Sequence, residues 1–394
     1  MIQRMIFMLA IMMTSVMPMH AGMWNKVQRI FNGGSQKDPT IKVLVVDKSN
    51  GSMLEVRGAY NIYNPQDGSR LSTCLLSKSY FVQPIKTGIK WGEQFPGTYQ
   101  IEIVPDDANT TILVNGVQYR GSVQVFQVGD TLSIINEVDI EDYTKSILGP
   151  LVDKPLHDEV LAAMAIASRT EAYYHISRAG SKAFWHVDAE KVGYEGYSVT
   201  FRDNGVDKAV DRTKYFVMNR NEAMLTDKYF AARWTEHSAG KTAPVHMMFR
   251  QEMSAPRDGI NVPLAAVDRD SVHWNYSTTK AEFAGKANIG TLTGVEIYTD
   301  PFSRKVYNIR IKNEQGFKDV DFFTLQNMLG KDNIQSSDFN IDISGNIVMF
   351  SGYGQGHGVG MCIYSSEVMA EEGRDAAKIL AGFFPDAYIV KSNG

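Results

Sequence analysis

Near its C-terminal end the chain reads GYGQGHGVGM, from Gly352 to Met361. Five glycines alternate there with Tyr353, Gln355, His357 and Val359, a spacing that bares the backbone and lets it approach a ligand closely. The run is no phosphate loop: it lacks GxxxxGK[ST], and its even spacing does not match GxGxxG. His357 has two readings, an imidazole that hydrogen-bonds a sugar or peptide group or a structural ring satisfied by backbone carbonyls. Other residues have chemistry to offer. Arg169 ends an apolar, small-residue stretch and suits a bidentate pair with Glu141 or Asp142. Tyr194, in GYEG, is read as a stacking surface for a sugar or as packing. Ser238, Gly240 and Lys241 make a polar, flexible turn suited to glycan hydroxyls, or a plain surface loop. His273-Trp274 is a sugar platform or a buried tryptophan. Cys74 and Cys362 are the only cysteines, no pair has metal-ligand spacing, and His20, His157 and His246 join no constellation. Neither a metal nor a cofactor is expected.

The elements that hold these residues divide the chain. From Thr40 to about Val138 the pattern is β: IKVLVV at 41 to 46, EVRGAYNIY at 55 to 63, TYQIEIV at 98 to 104 and ILVNGVQYRGSVQVFQV at 112 to 128. Asn115-Gly116, set between alternating apolar residues, signals a two-residue hairpin because both turn positions need positive φ. Residues 140 to 180 then change to helical spacing, with Val160, Met164 and Ala167 on one stripe, small alanines beside them and Gly180 placed as a C-terminal cap. One long, largely buried helix is predicted. Strands return at VYNIRIK, 306 to 312, and FNIDISGNIVMF, 339 to 350; helical MCIYSSEVMAEEG and DAAKILAGFF follow the glycine-histidine loop. The predicted fold is α+β: an N-terminal β domain, 40–138, packed on a mixed core, 139–394, with the loop lining a cleft near residues 140 to 170.

Composition narrows the partners. The 394 residues are 44% apolar and 21% charged, ordinary for a globular chain. Forty basic and 44 acidic residues leave a net charge of -4 without long runs, so no basic stripe faces phosphates and nucleic acid is not an expected partner. Residues 1–21 read as a signal peptide, with Arg4 before an apolar run of about 13 residues, short of the roughly 20 that span a bilayer; residues 22–39 read as a linker. An exported, periplasmic or cell-envelope location is expected, with an uncleaved N-terminal anchor as the other possibility.

Several blocks together resemble one family. GHGVGM followed by Tyr364, then VMAEEG and AAKILAGFFPDAYI, is similar to the C-terminal signature of the SpoIID/LytB family of peptidoglycan lytic transglycosylases and amidase enhancers. NGVQYRG at 115 to 121, NEVDIEDY at 136 to 143, LAAMAIASRTEAYY at 161 to 174, GYEG at 193 to 196, HSAGKT at 237 to 242 and His273-Trp274 follow in the family's order. The resemblance spans about 112–389. It implies cleavage between N-acetylmuramic acid and N-acetylglucosamine without water, on peptide-free glycan: one carboxylic acid protonates the leaving oxygen, then helps the muramic 6-hydroxyl close an anhydro ring. No second carboxylate is needed, unlike the glycosidases that use two. The candidate substrate-binding residues are Arg169, Tyr194, Ser238, Gly240, Lys241, Gln355, His357 and Tyr364.

The chain departs from this pattern at the catalytic acid. The family places a Glu-Met-Pro eight residues beyond the EDY tyrosine, where this chain has Leu151. The helix's usual Gln is Met164, and the Cys and His that bind zinc in some members are unmatched near His175 and His186. Two expectations follow. Another carboxylate supplies the proton, with Asp153 the smallest relocation and Glu141, Asp142 and Glu159 further choices; or the chain is a catalytically silent peptidoglycan-binding protein that recruits or enhances an amidase.

Overall fold

The computed structural model describes residues 39–152, 154–180, 182–197, 204–220, 228–250 and 259–392. The expected signal peptide and all but the end of the linker lie outside the described residues, as does Asp153. The chain forms two compact units and crosses between them more than once: one holds Val46–Gly116 and Gly121–Ile134, the other Pro39–Val45, Val117–Arg120 and Ile135 onward.

The first unit is built of antiparallel strands. Ser122–Val128, Gln100–Pro105, Tyr60–Tyr63 and Arg70–Cys74 lie side by side, and Thr111–Val114, Ser52–Arg57, Lys78–Ile85, Gly88–Trp91 and Glu93–Pro96 form a second group. In Ser52–Arg57 burial alternates residue by residue, the period-2 signature of a strand with one face in the core. Leu54 and Val56 point inward with Val82, Ile89, Ile101 and Ile112. Trp91, wholly buried, satisfies its indole N–H on the Leu54 carbonyl at 3.0 Å. Asn115 and Gly116 take φ of 51° and 84°, as their turn requires.

The second unit mixes helices with short sheets, so the α+β expectation holds. Where one helix was predicted over 140 to 180 there are two, Ile140–Leu151 and Asp158–Ala179. The break has a physical cause: Pro155 brings no amide to continue a helix and disfavours α geometry at the residue before it. The first helix is capped by Asp139, whose carboxylate accepts from the Glu141 amide at 2.7 Å and the Asp142 amide at 3.3 Å. His157 caps the second through Nδ1, and Gly180 ends it at φ 80°. Val160 to Thr170 are buried without interruption. Apolar or small on every side, this helix is a core axle rather than an amphipathic surface helix. Phe230, Met361, Ile379 and Phe383 pack in the same core.

Around this core stand the sheets that carry the loop. His273–Thr279, Ile347–Tyr353 and Phe339–Ser344 form one, with Tyr353 opposite His273; Leu292–Thr299, Val306–Asn313 and Gly316–Asp321 form another. Trp234–Thr235 runs parallel to Met361–Cys362, and Cys362 leads into helix Ile363–Glu371. Among the described residues no helix is long and apolar enough to cross a membrane.

Candidate functional site

The second unit holds a cavity of about 1140 Å³, larger than most small-molecule pockets. Helical periodicity explains its first wall. Tyr143, Ile147 and Leu151 stand four apart on the first helix, and Ser168, Glu171 and His175 share one face of the second, so each set projects the same way. Arg233, Trp234 and Glu236 come from the strand segment, Phe323 and Gln326 from helix Phe322–Leu329, and Gln355, Gly356 and His357 from the glycine-histidine loop.

The loop's even glycine spacing serves protein packing more than ligand approach. A Cβ on Gly356 would stand 2.0 Å from Glu236 Oε2, and one on Gly360 2.0 Å from the Arg233 carbonyl. Both glycines have positive φ, 92° and 78°. The loop therefore lies directly on segment 233–239, tied by paired backbone bonds between His237 and Gln355 at 3.0 Å. His357 itself accepts the Val359 amide on Nδ1 at 3.1 Å, which leaves its ring proton on Nε2. Phe249 and Phe323 present ring edges to it. Burial, then the Arg233 charge, pushes its pKa down to about 3, so the ring is neutral and a hydrogen-bond donor.

Glu171 is the sheltered charge of the cavity. Its carboxylate pairs with the Arg233 guanidinium, and His175 Nε2 stands 3.5 Å from the same oxygen, Oε1. Burial pushes this carboxyl up, but Arg233, His175 and His357 oppose it and the net direction is down. Tyr143, beside it, is pushed far up, chiefly by burial and next by the Glu171 charge. Leu151, where the sequence resemblance leads one to expect an acid, is 55% exposed on the cavity wall.

The other expected residues are distributed as follows. Glu141 is no proton donor to this cavity: Arg169 grips it through Nε at 3.0 Å to both oxygens and through Nη2 at 2.6 Å, and the Tyr215 amide adds a bond at 3.3 Å. Arg169, 1% exposed, spends its remaining donors on the Phe216 and Val210 carbonyls, so the pair expected from sequence is a buried clamp out of substrate's reach. Asp142 pairs with Arg120 at 2.9 Å, and Glu159 with Arg212 at 2.8 Å and with the Ala376 amide at 2.8 Å; neither lines the cavity. Tyr194 is buried, stacked on Tyr143, with its hydroxyl donating to Asn136 at 2.7 Å; it supports the wall and offers no face to a sugar. Ser238 is wholly buried, its carbonyl held by the Lys305 ammonium at 2.6 Å and its amide by Cys362 Sγ at 3.4 Å. Gly240 and Lys241 line a separate, smaller cavity of about 280 Å³ with Arg269 and Asp338. Tyr364 packs its ring on His237 at 4.5 Å. Trp274 is buried and bonded to Ser336 Oγ at 3.0 Å, while His273 is exposed. Of the candidate substrate-binding residues, Gln355 and His357 line the main cavity.

Sequence reasoning missed Glu171, His175 and Arg233. The i, i+4 spacing of Glu171 and His175 was a usable signal, but Arg233 reaches them from a distant segment with no motif of its own.

The family model for SpoIID, described as stage II sporulation protein, matches residues 128–219. A protein of Brachyspira hyodysenteriae is 30% identical over 359 residues, covering 90% of this chain and 93% of that one. The chain belongs to the SpoIID family. Two uncharacterised chlamydial proteins agree: one from Chlamydia muridarum is 33% identical over 201 residues, 51% of this chain and 70% of its own length, and one from Chlamydia pneumoniae 35% over 191, 48% and 70%. The SpoIID match covers both cavity-wall helices and the Glu141–Arg169 clamp. Membership gives the chain a cell-wall-related role.

Proposed function

We propose that the cavity binds peptide-free glycan strands of peptidoglycan and cleaves them between N-acetylmuramic acid and N-acetylglucosamine, in the manner of a lytic transglycosylase, during remodelling or division of the wall. The observation that carries this reading is that the helix pair, the 233–236 segment and the glycine-histidine loop converge on one polar cavity of about 1140 Å³, room enough for more than one sugar ring. His357, neutral with its proton on Nε2, suits a glycan hydroxyl or acetamide carbonyl. Trp234 and Phe323 offer apolar surface for ring faces. The expected signal sequence would carry the protein to the envelope, where this substrate lies.

Leu151 favours a second reading. With no proton donor at the family's position, the same cavity would hold glycan without cutting it and recruit or stimulate an amidase. Incubating the protein with purified sacculi and analysing soluble products by mass spectrometry separates the two. Cleavage predicts 1,6-anhydromuramyl ends; sacculi that bind the protein and release none would sink the enzyme reading.

A further inference from the structure

We propose that His175, oriented by Glu171 and Arg233, is the proton carrier for glycan cleavage in this chain; the inference rests on the transglycosylase reading above.

Elimination within the cavity leads there. Four carboxylates line it, and Glu190, Glu236 and Asp332 are exposed. Glu171 is sheltered, its side chain 13% exposed, but Arg233 against its oxygen keeps it ionised and unfit to donate. Arg233 does not release a proton at working pH. His357 stays neutral, and Tyr143 holds its proton too firmly. Among the described residues lining the cavity His175 remains, and imidazole is the side chain that most often serves as general acid and base. His175 lines the cavity with its side chain 18% exposed, and its Nε2 stands 3.5 Å from Glu171 Oε1. A carboxylate behind an imidazole fixes its orientation and steadies its cationic form. Glu171 is thus a positioning residue, with Arg233 holding it.

The reaction balances without water. Imidazolium His175 gives its proton to the glycosidic oxygen as the C1–O4 bond breaks. The neutral ring then takes the proton of the muramyl C6 hydroxyl as O6 bonds to C1. One C–O bond is lost, one is formed, and the imidazolium is restored.

The test uses the full chain on sacculi and on soluble glycan, with sacculus pull-down in parallel. His175→Gln is expected to lower kcat at least about 100-fold, the lower end of what proton transfer contributes, with KM and pull-down unchanged. Added imidazole should restore part of the rate of His175→Gly, and Leu151→Glu should restore cleavage in His175→Gln by returning an acid to the family's position. Glu171→Gln should lower kcat alone, and Glu171→Asp should recover part of it. Undiminished cleavage by His175→Gln overturns the proposal, as does a loss that neither imidazole nor Leu151→Glu repairs. A silent wild type that becomes active as Leu151→Glu would mean the cavity takes glycan without a proton carrier of its own. If both are silent, the transglycosylase reading itself has failed.

Discussion

At pH 7 the ring of His357 is neutral, because burial and the nearby Arg233 charge hold its pKa at about 3 against the ordinary 6.5. Between those values the unfolded chain binds a proton that the folded chain refuses. Stability therefore rises with pH across that window and is lost as pH falls from 6.5 toward 3, by at most about 1.4 kcal/mol per pH unit from this group. His357→Gln keeps an amide donor and cannot titrate, so its denaturation midpoint should vary less between about pH 4 and 6.5 than the wild type's. Equal slopes would mean that the ring is not buried neutral. At this scale the sequence was partly legible. The glycine-histidine pattern pointed to a residue that lines the main cavity, and Arg169 was matched to Glu141 or Asp142 because a guanidinium fork and a carboxylate suit each other. Burial was not legible: nothing in HSAGKT or GYEG announces that Ser238 is sealed against Lys305 or that Tyr194 lies behind Tyr143.

Helix Asp158–Ala179 holds the cavity wall in place by close approach. Ala163 and Ala165 are wholly buried in the second unit's core. Ala163→Leu adds volume where none is free and should destabilise by about 1–3 kcal/mol, read as a lower midpoint in urea; a change under about 0.5 kcal/mol would mean the helix packs loosely. The wall residues Ser168, Glu171 and His175 would shift with it, so glycan cleavage should fall alongside. Periodicity made this helix legible, and Gly180 its C-terminal cap, whereas the N-cap His157 was not read as one. The helix's separation from Ile140–Leu151 was not legible, since helical spacing persists across the gap and only Pro155 marks it. In the β unit, Arg70–Cys74 and Lys78–Ile85 escaped notice because their exposure does not alternate: most of their side chains are exposed or half-buried, and with little core contact to satisfy, selection for period-2 patterning is weak.

For the whole molecule, charge bears on how the proposed glycan would be held. The net charge is -4, and the main cavity mixes Glu171, Glu190 and Asp332 with Lys191, Arg233 and Lys331. On the proposed reading each peptide-free disaccharide carries one muramic lactyl carboxylate, so its recognition would combine hydrogen bonds and ring stacking with attraction to Lys191, Arg233 and Lys331. Sacculus pull-down should therefore weaken between 50 and 500 mM salt, as exposed charge pairs are screened. Pull-down indifferent to salt would mean that these cations do not meet the lactyl carboxylates.

Leu151 ends its helix exposed on the cavity rim, and the fold asks little of the side chain there. Substitutions at such sites usually leave stability within about half a kcal/mol. Position 151 is therefore a point of free drift: a lineage can discard the acid, or regain it, without first repairing the scaffold. Relatives sharing this helix pair are expected to be mosaic at that one position, cutters and non-cutters alike, while the buried Glu141–Arg169 clamp stays common to both.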